Sequence, residues 1–415
     1  MSDVVRRWAM AVLLLVPAGS AVADSASSGD SEPDWPTKIA ELREQVDTLP
    51  VERGARQQLA IAYNNYGIRL AEQGRYPEAT QQLTQALSLE PANPQFTKNA
   101  AAIHLQAAQS AYQAHQFQSA RTWVKAALQV DPHSADAYAL LGMIEYDNQR
   151  LKEARTAWQK ALSLNPQLPA IKERLDQLSQ ELPVENELEK WSQGSFDIRY
   201  TGDLSGSAGY DISLTLQRAR REIGSDFAYW PRYKLIVLVY RAEEFRKLRQ
   251  DLPEWVAGQF DGKIRVPLPG KGLSIDAVTR TLFHEYTHAL VHDVAGDRLP
   301  TWFNEGLAEY EAWKDATPPW PLLRQAAASK HLIPWSELSN QFSVTAPAMI
   351  VGLAYEQSHS IVRFLAERFG FWRIRRVLKA VHGGTPLETA LPAELHLKTS
   401  RLEEFWRAWL FDTLT

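Results

Sequence analysis

Five positions recur three times along this chain with one spacing. Gly67, Ala79, Leu83, Ala86 and Pro91 form the first set. Ala108, Ala120, Val124, Ala127 and Pro132 form the second, and Gly142, Ala154, Trp158, Ala161 and Pro166 the third. The internal steps are 12, 4, 3 and 5 residues in every set. A unit of this size cannot bury its apolar face alone, so the stretch must stack its units side by side. The prolines of the last two sets are 34 residues apart and those of the first two 41, which leaves seven extra residues near Asn93 to Ala100.

The pattern resembles the tetratricopeptide repeat, a helix-turn-helix unit with small residues where its paired helices touch and a proline at its end. GRYPEATQQLTQALSLEP and QRLKEARTAWQKALSLNP are close to that family's second-helix pattern. The resemblance implies an all-α solenoid over residues 37–182, with a leading helix, three repeats and a capping helix over about 169–182. Such a module presents a concave surface to a protein partner and has no chemistry of its own. His104, His115 and His133 fall inside it without a partner motif and read as structural or surface residues.

The first residues carry a different signal. Arg6 and Arg7 precede the apolar run Trp8 to Val16, and Ala21-Val22-Ala23 offers a small-residue cleavage site. This is the order of a secretory signal peptide, here residues 1–23. The run is about half of what a bilayer-spanning helix needs, so no transmembrane segment is expected after its removal. Residues 24–36 are rich in Ser, Asp and Gly and read as a flexible leader. The chain has no cysteine, so neither disulfides nor a lipid-anchored cysteine is available, and a bacterial periplasmic or secreted location is expected. With a formal net charge of −4 and no basic run, nothing points to nucleic acid as a partner.

The 415 residues exceed one typical core, and the pattern changes after the repeats. Residues 183–195 (PVENELEKWSQGS) read as a polar linker. FDIRY and YKLIVLVY read as strands with a helix over about 211–227 between them, and DGKIRVPLP as a third strand that its prolines confine to an edge or a strand end. From Ile275 the chain is mostly helical. The second domain, residues 196–415, is therefore expected to be α+β.

LFHEYTHAL, residues 282–290, carries the chemistry. Residues four apart on a helix share a face, so His284 and His288 project together and can meet one ion. Glu285 is turned about 100° from His284 and can face the ion's open position, where it accepts a proton from water. His292 continues the stripe, but eight residues climb about 12 Å, too far for the same ion. The longer zinc motif with a third histidine on the same stretch fails as well, since 291 and 294 are both valine. After a turn marked by Gly296 and Pro300, Glu305 and Glu309 lie four apart on a second helix. If that helix packs antiparallel on the first, Glu305 is the third ligand. Glu309 then accepts a hydrogen bond from a ligand imidazole, which fixes its tautomer.

HEYTH followed by Glu305 within LPTWFNEGLAEY resembles the gluzincin metallopeptidases of the thermolysin clan. It is similar more narrowly to bacterial peptidase-MA-like domains, whose second motif is here Pro300, Trp302, Glu305, Gly306 and Ala308. The resemblance implies one Zn2+ held by His284, His288 and Glu305, with Glu285 as general base acting on a polypeptide substrate. It implies an edge strand that takes extended substrate, expected at Gly262, Lys263, Ile264, Arg265 and Val266. It also implies an oxyanion donor from a later helix, with Tyr355 first, His359 second and Tyr310 a further candidate. Two other readings stay open: a catalytically silent repeat scaffold that binds peptides in the cell envelope, and an amidase acting on a non-protein substrate.

Overall fold

The computed structural model describes residues 33–48, 53–202, 206–249, 258–268, 275–314, 316, 318–343 and 345–414. The expected signal segment and most of the leader lie outside the described residues. The chain divides into two compact units between Leu182 and Pro183.

The first unit is all helical: Trp35–Thr48, Arg53–Glu72, Tyr76–Leu89, Pro94–Gln113, Phe117–Val130, Ala135–Asp147, Leu151–Leu164 and Pro169–Glu185, whose last three residues belong to the second unit. The three repeats are three antiparallel pairs within this series, and the recurring small residues mark their seams. Ala79, Ala86, Ala120, Val124, Ala154 and Ala161 are completely buried. Gly142 is the tightest point, since a Cβ there would stand 2.2 Å from the Trp158 ring. That ring is buried and donates its Nε1–H to the Ala139 carbonyl at 3.1 Å. The turn inside each pair uses a left-handed residue at one equivalent position: Gly74 (φ 74°), His115 (φ 54°) and Gln149 (φ 56°). The seven extra residues lengthen the first helix of the middle repeat, which has 20 residues against 13 in the third. His104 packs its ring 5.7 Å from that of Trp123, and the His133 backbone N–H donates to Asp131.

The second unit is built on a five-stranded sheet, β1 (Glu189–Gln193), β2 (Phe196–Tyr200), β3 (Leu235–Arg241), β4 (Gln259–Phe260) and β5 (Ile264–Leu268), in the order β1-β2-β3-β5-β4. The strand β3 pairs in parallel with β2 and β5, and both edges are antiparallel. Its first six residues, LIVLVY, are buried without polar alternation because both faces of the strand are covered. Leu235, Val237 and Val239 face the main core with the Gly206–Phe227 and Ile275–Ala295 helices. Ile236, Leu238 and Tyr240 face a smaller cluster with Phe245 and Leu248.

Two expectations about this sheet are corrected. Residues 183–195 are not simply a linker, because Glu189–Gln193 is an edge strand. Only its Trp191 is partly buried, and a strand with water on its outer side needs no apolar alternation. The strand expected at the opposite edge, β5, is second from it. Gly262 (φ 97°) turns the chain so that Gln259 and Phe260 pair with Arg265 and Ile264 and take the outer position. Lys263, Ile264, Arg265 and Val266 are buried. Arg265 is spoken for: it donates to Glu185, to the Tyr240 oxygen and to Asp261. Ile264 and Arg265 therefore support the edge rather than form it, and Gly262 is the turn before them.

Among the described residues, no helix is long and apolar enough to cross a membrane.

Candidate metal centre

The Ile275–Ala295 helix buries Leu282, Phe283, Tyr286, Ala289 and Leu290 against the sheet. That anchoring turns His284 and His288 toward the Thr301–Ala312 helix, which follows a short 3-10 turn at Gly296–Arg298. Gly296 (φ 65°) and Pro300, which precedes the first helical residue, end one helix and start the next. Trp302, Phe303, Leu307 and Ala308 bury the second helix and leave Glu305 facing the histidines.

The three expected ligands meet. Nε2 of His284 and Nε2 of His288 are 3.1 Å apart, and they lie 3.4 and 3.5 Å from Glu305 Oε2. A tetrahedral ion with bonds of 2.0–2.1 Å sets its ligand atoms about 3.3–3.4 Å apart, so the triangle has the size of one face of such a site. Among the described residues, these three form the one cluster of histidine and carboxylate side chains close enough to hold a metal. Glu305 Oε2 is buried and has no hydrogen-bond donor, as expected of an atom reserved for a cation.

The outer nitrogens fix the tautomers. Nδ1 of His284 lies 3.0 Å from Glu309 Oε1, and Nδ1 of His288 lies 3.1 Å from Asn304 Oδ1. Each oxygen accepts only, so each Nδ1 carries a proton and Nε2 is the nitrogen left to meet an ion. Glu309 is held in turn by the Trp313 Nε1–H at 3.1 Å. Glu309 was expected from the sequence and Asn304 was not. Its position directly before Glu305 gave no separate signal, because an asparagine in a helix is ordinarily a surface residue.

Charge in the site is dominated by carboxylates. Burial pushes Glu285 upward, and the two imidazoles offset this only in part. For Glu305 burial acts the same way, but His288 and His284 outweigh it and hold the carboxyl well below its usual range. Burial alone would lower His284 and His288, yet the facing glutamates raise both. Two imidazoles among Glu285, Glu305 and Glu309 make a pocket that favours bound positive charge.

Gly306 explains how a third helix reaches this centre. A Cβ there would stand 2.6 Å from the Ser358 carbonyl oxygen, so only glycine lets the Thr301–Ala312 helix lie directly on Ala348–Phe369. The approach brings the Tyr355 ring 6.5 Å from that of His284. Burial, then Glu305, Glu309 and Glu285, raise Tyr355 well above the ordinary phenol range. His359 is buried against Trp320 with ring centroids 5.2 Å apart, and burial drops it to about 4. Tyr310 stacks on Phe371 instead, and His292 pairs with Asp297 at 3.2 Å.

The sheet edge meets the centre at a residue the sequence did not mark. Gly258, next to β4, is buried, and a Cβ on it would stand 2.6 Å from Glu285 Oε1. Its backbone thus lies directly on the Glu285 carboxylate.

Comparison with known proteins agrees with this geometry. Residues 263–412 match the Peptidase MA superfamily, and residues 105–169 match the tetratricopeptide repeat. The first match begins at β5 and takes in every residue of the centre except Gly258; the second runs from within the first helix of the middle repeat through the last repeat. The chain is similar to the first TPR of Spaghetti (RPAP3) bound to the HSP90 peptide SRMEEVD. The identity is 24%, the match covers 31% of this chain and 95% of that one, and the TM-score is 0.23. It is also similar to the first TPR domain of the human RPAP3 protein, at 24% identity over 31% of this chain and 94% of that one, with a TM-score of 0.22. No curated relative matches the chain. The protein therefore joins tetratricopeptide repeats, a module for protein interaction, to a peptidase-like domain of the Peptidase MA superfamily.

Proposed function

We propose that the protein is an exported zinc peptidase that hydrolyses peptide bonds, with the repeats docking the substrate or a partner protein. The observation that carries this reading is the 3.1, 3.4 and 3.5 Å triangle of His284, His288 and Glu305, with Glu285 beside it. Two imidazoles and one carboxylate with a position left open are the donor set of catalytic zinc. When bound, zinc supplies Lewis acidity and makes water a nucleophile near neutral pH.

The chain's own residues supply the rest. Glu285 Oε2 is buried and meets no donor among the described residues, so it is available to take the proton of the attacking water. Its raised affinity for that proton suits it to the next step, delivery to the leaving amine. Tyr355 keeps its hydroxyl proton at any physiological pH and can donate it to the carbonyl oxygen as negative charge develops there. Gly258 places no side chain against the Glu285 carboxylate. Asn304 and Glu309 hold the two imidazoles without touching substrate.

Export rests on the signal-like sequence at residues 1–23 and places the activity in the periplasm or outside the cell. The test pairs metal analysis with substrate profiling. The purified protein is expected to hold about one zinc per chain. Parent and Glu285→Gln protein are then incubated with envelope extracts, and the new peptide ends are read by mass spectrometry. Cleavage by the parent alone is expected. A parent without stoichiometric zinc, or a variant that cleaves equally well, would sink the reading.

A further inference from the structure

Away from the metal centre, a cavity of about 590 Å³ opens between the ends of the Gly206–Phe227 and Ile275–Ala295 helices and the Phe371–His382 helix. This volume lies in the range of small-molecule sites. Part of the lining is apolar, with Phe227, Val294 and Leu378. One helix adds three cations to the lining, Arg375, Arg376 and Lys379, together with His382. That helix, FWRIRRVLKAVH, has four Arg or Lys residues and no acid, in a chain whose formal net charge is −4.

The cationic side is only partly neutralised. Arg376 pairs with Glu394 at 2.9 Å, whereas among the described residues neither Arg375 nor Lys379 meets an acidic side chain. The one acid in the wall, Asp293, already accepts from the hydroxyls of Tyr229 at 3.0 Å and Tyr233 at 2.9 Å. Trp372 lines the same cavity and is 45% exposed. An apolar hollow with unneutralised cations on one side and a half-exposed indole complements a ligand that is anionic at one end and apolar at the other.

We propose that this cavity binds an anionic amphiphile, a phosphate-headed lipid whose head group meets Arg375 and Lys379 and whose chain enters between Phe227, Val294 and Leu378. A neutral lipid leaves the cations unpaired, and a bare phosphate leaves the apolar walls wet. The site is separate from the zinc centre and does not depend on the peptidase reading.

The test uses the full chain and isothermal titration. The probes are a dihexanoyl phosphatidic acid below its micelle concentration and inorganic phosphate. Vesicles of phosphatidylcholine, alone or mixed with phosphatidylglycerol, are assayed by co-sedimentation. Saturable one-to-one binding of the short lipid is expected, clearly tighter than that of phosphate. Arg375→Gln with Lys379→Gln should weaken it about 30-fold, since each cation near an anionic head group contributes roughly a factor of five. Val294→Phe keeps every charge and should weaken the lipid while leaving phosphate unchanged. If the parent also attaches to the phosphatidylglycerol vesicles, the source is a membrane; short-lipid binding without attachment assigns a free amphiphile. No saturable lipid binding, equal affinity for phosphate, attachment to vesicles alone, or charge variants that bind as the parent does would each overturn the proposal.

Discussion

Gly306 lies against the carbonyl of Ser358 so closely that a methyl group at the glycine would stand 2.6 Å from that oxygen. The contact joins the helix that supplies Glu305 to the helix that supplies Tyr355. It also accounts for the glycine that follows Glu305 in the sequence motif.

Gly306→Ala must separate these helices, at a cost of about 1–3 kcal/mol for an overpacked contact. Glu305 is the neighbouring residue, so zinc binding should weaken as well. Thermal melts with and without added zinc are expected to show a lower midpoint and a smaller zinc-induced rise than in the parent. An unchanged pair of midpoints would mean that the helix contact is soft.

Glu309→Ala and Asn304→Ala each free one imidazole to rotate. Loss of such a partner typically lowers metal affinity about 10–100-fold. Competition with a chromophoric chelator measures it directly. Affinities equal to the parent's would show that core packing alone orients His284 and His288.

Tyr355→Phe removes only a hydroxyl. If that hydroxyl meets the developing oxyanion, kcat falls about 10²–10³-fold while KM and zinc content stay close to those of the parent. A loss confined to KM would reassign Tyr355 to substrate binding.

His115 and Gln149 hold the left-handed conformation that Gly74 adopts at the matching turn of the first repeat. A side chain there costs roughly 1 kcal/mol. His115→Gly and Gln149→Gly should therefore each stabilise the repeats by about that amount in urea unfolding. A lower midpoint in both would show that the side chains are held by contacts worth more than the backbone strain.

Glu311 is a buried carboxyl whose pKa rises from 4.5 to about 8. Burial is the main cause, and Asp226 adds to it against the pull of Lys314. The folded chain then holds a proton that the unfolded chain has already lost. The contribution to stability is full below about pH 4.5 and is lost as pH climbs toward 8, with a slope of at most about 1.4 kcal/mol per pH unit. Glu311→Gln should flatten this dependence, matching the parent near pH 5 and exceeding it near pH 8. Urea midpoints across that range decide the matter.

The parts legible in the sequence are those whose cause is local. Small residues at steps of 12, 4 and 3 report a helix seam, and His284 and His288 report a shared face through helical spacing alone. Glu305 and Glu309 needed one assumption, that the second helix folds back. The sheet was harder to read. β1 is polar because water lies on its outer side, and β4 is only two residues long, so neither has a periodicity to find. A sequence reading that lacks β4 puts β5 at the edge. Gly258 and Gly306 matter through contacts with residues 27 and 52 positions later, and sequence spacing does not encode such distances.

The longer first helix of the middle repeat has one more consequence. Seven residues turn an α-helix through about 700°, within roughly 20° of two complete revolutions. The insertion therefore returns every side chain beyond it to nearly the same angular phase, and the seam at Ala108 faces its partner as the seam at Gly142 does. Removing all seven residues would preserve that phase, whereas removing five would rotate the apolar stripe by about 140° and point it away from its neighbour. Length at this position is quantised by the screw of the helix.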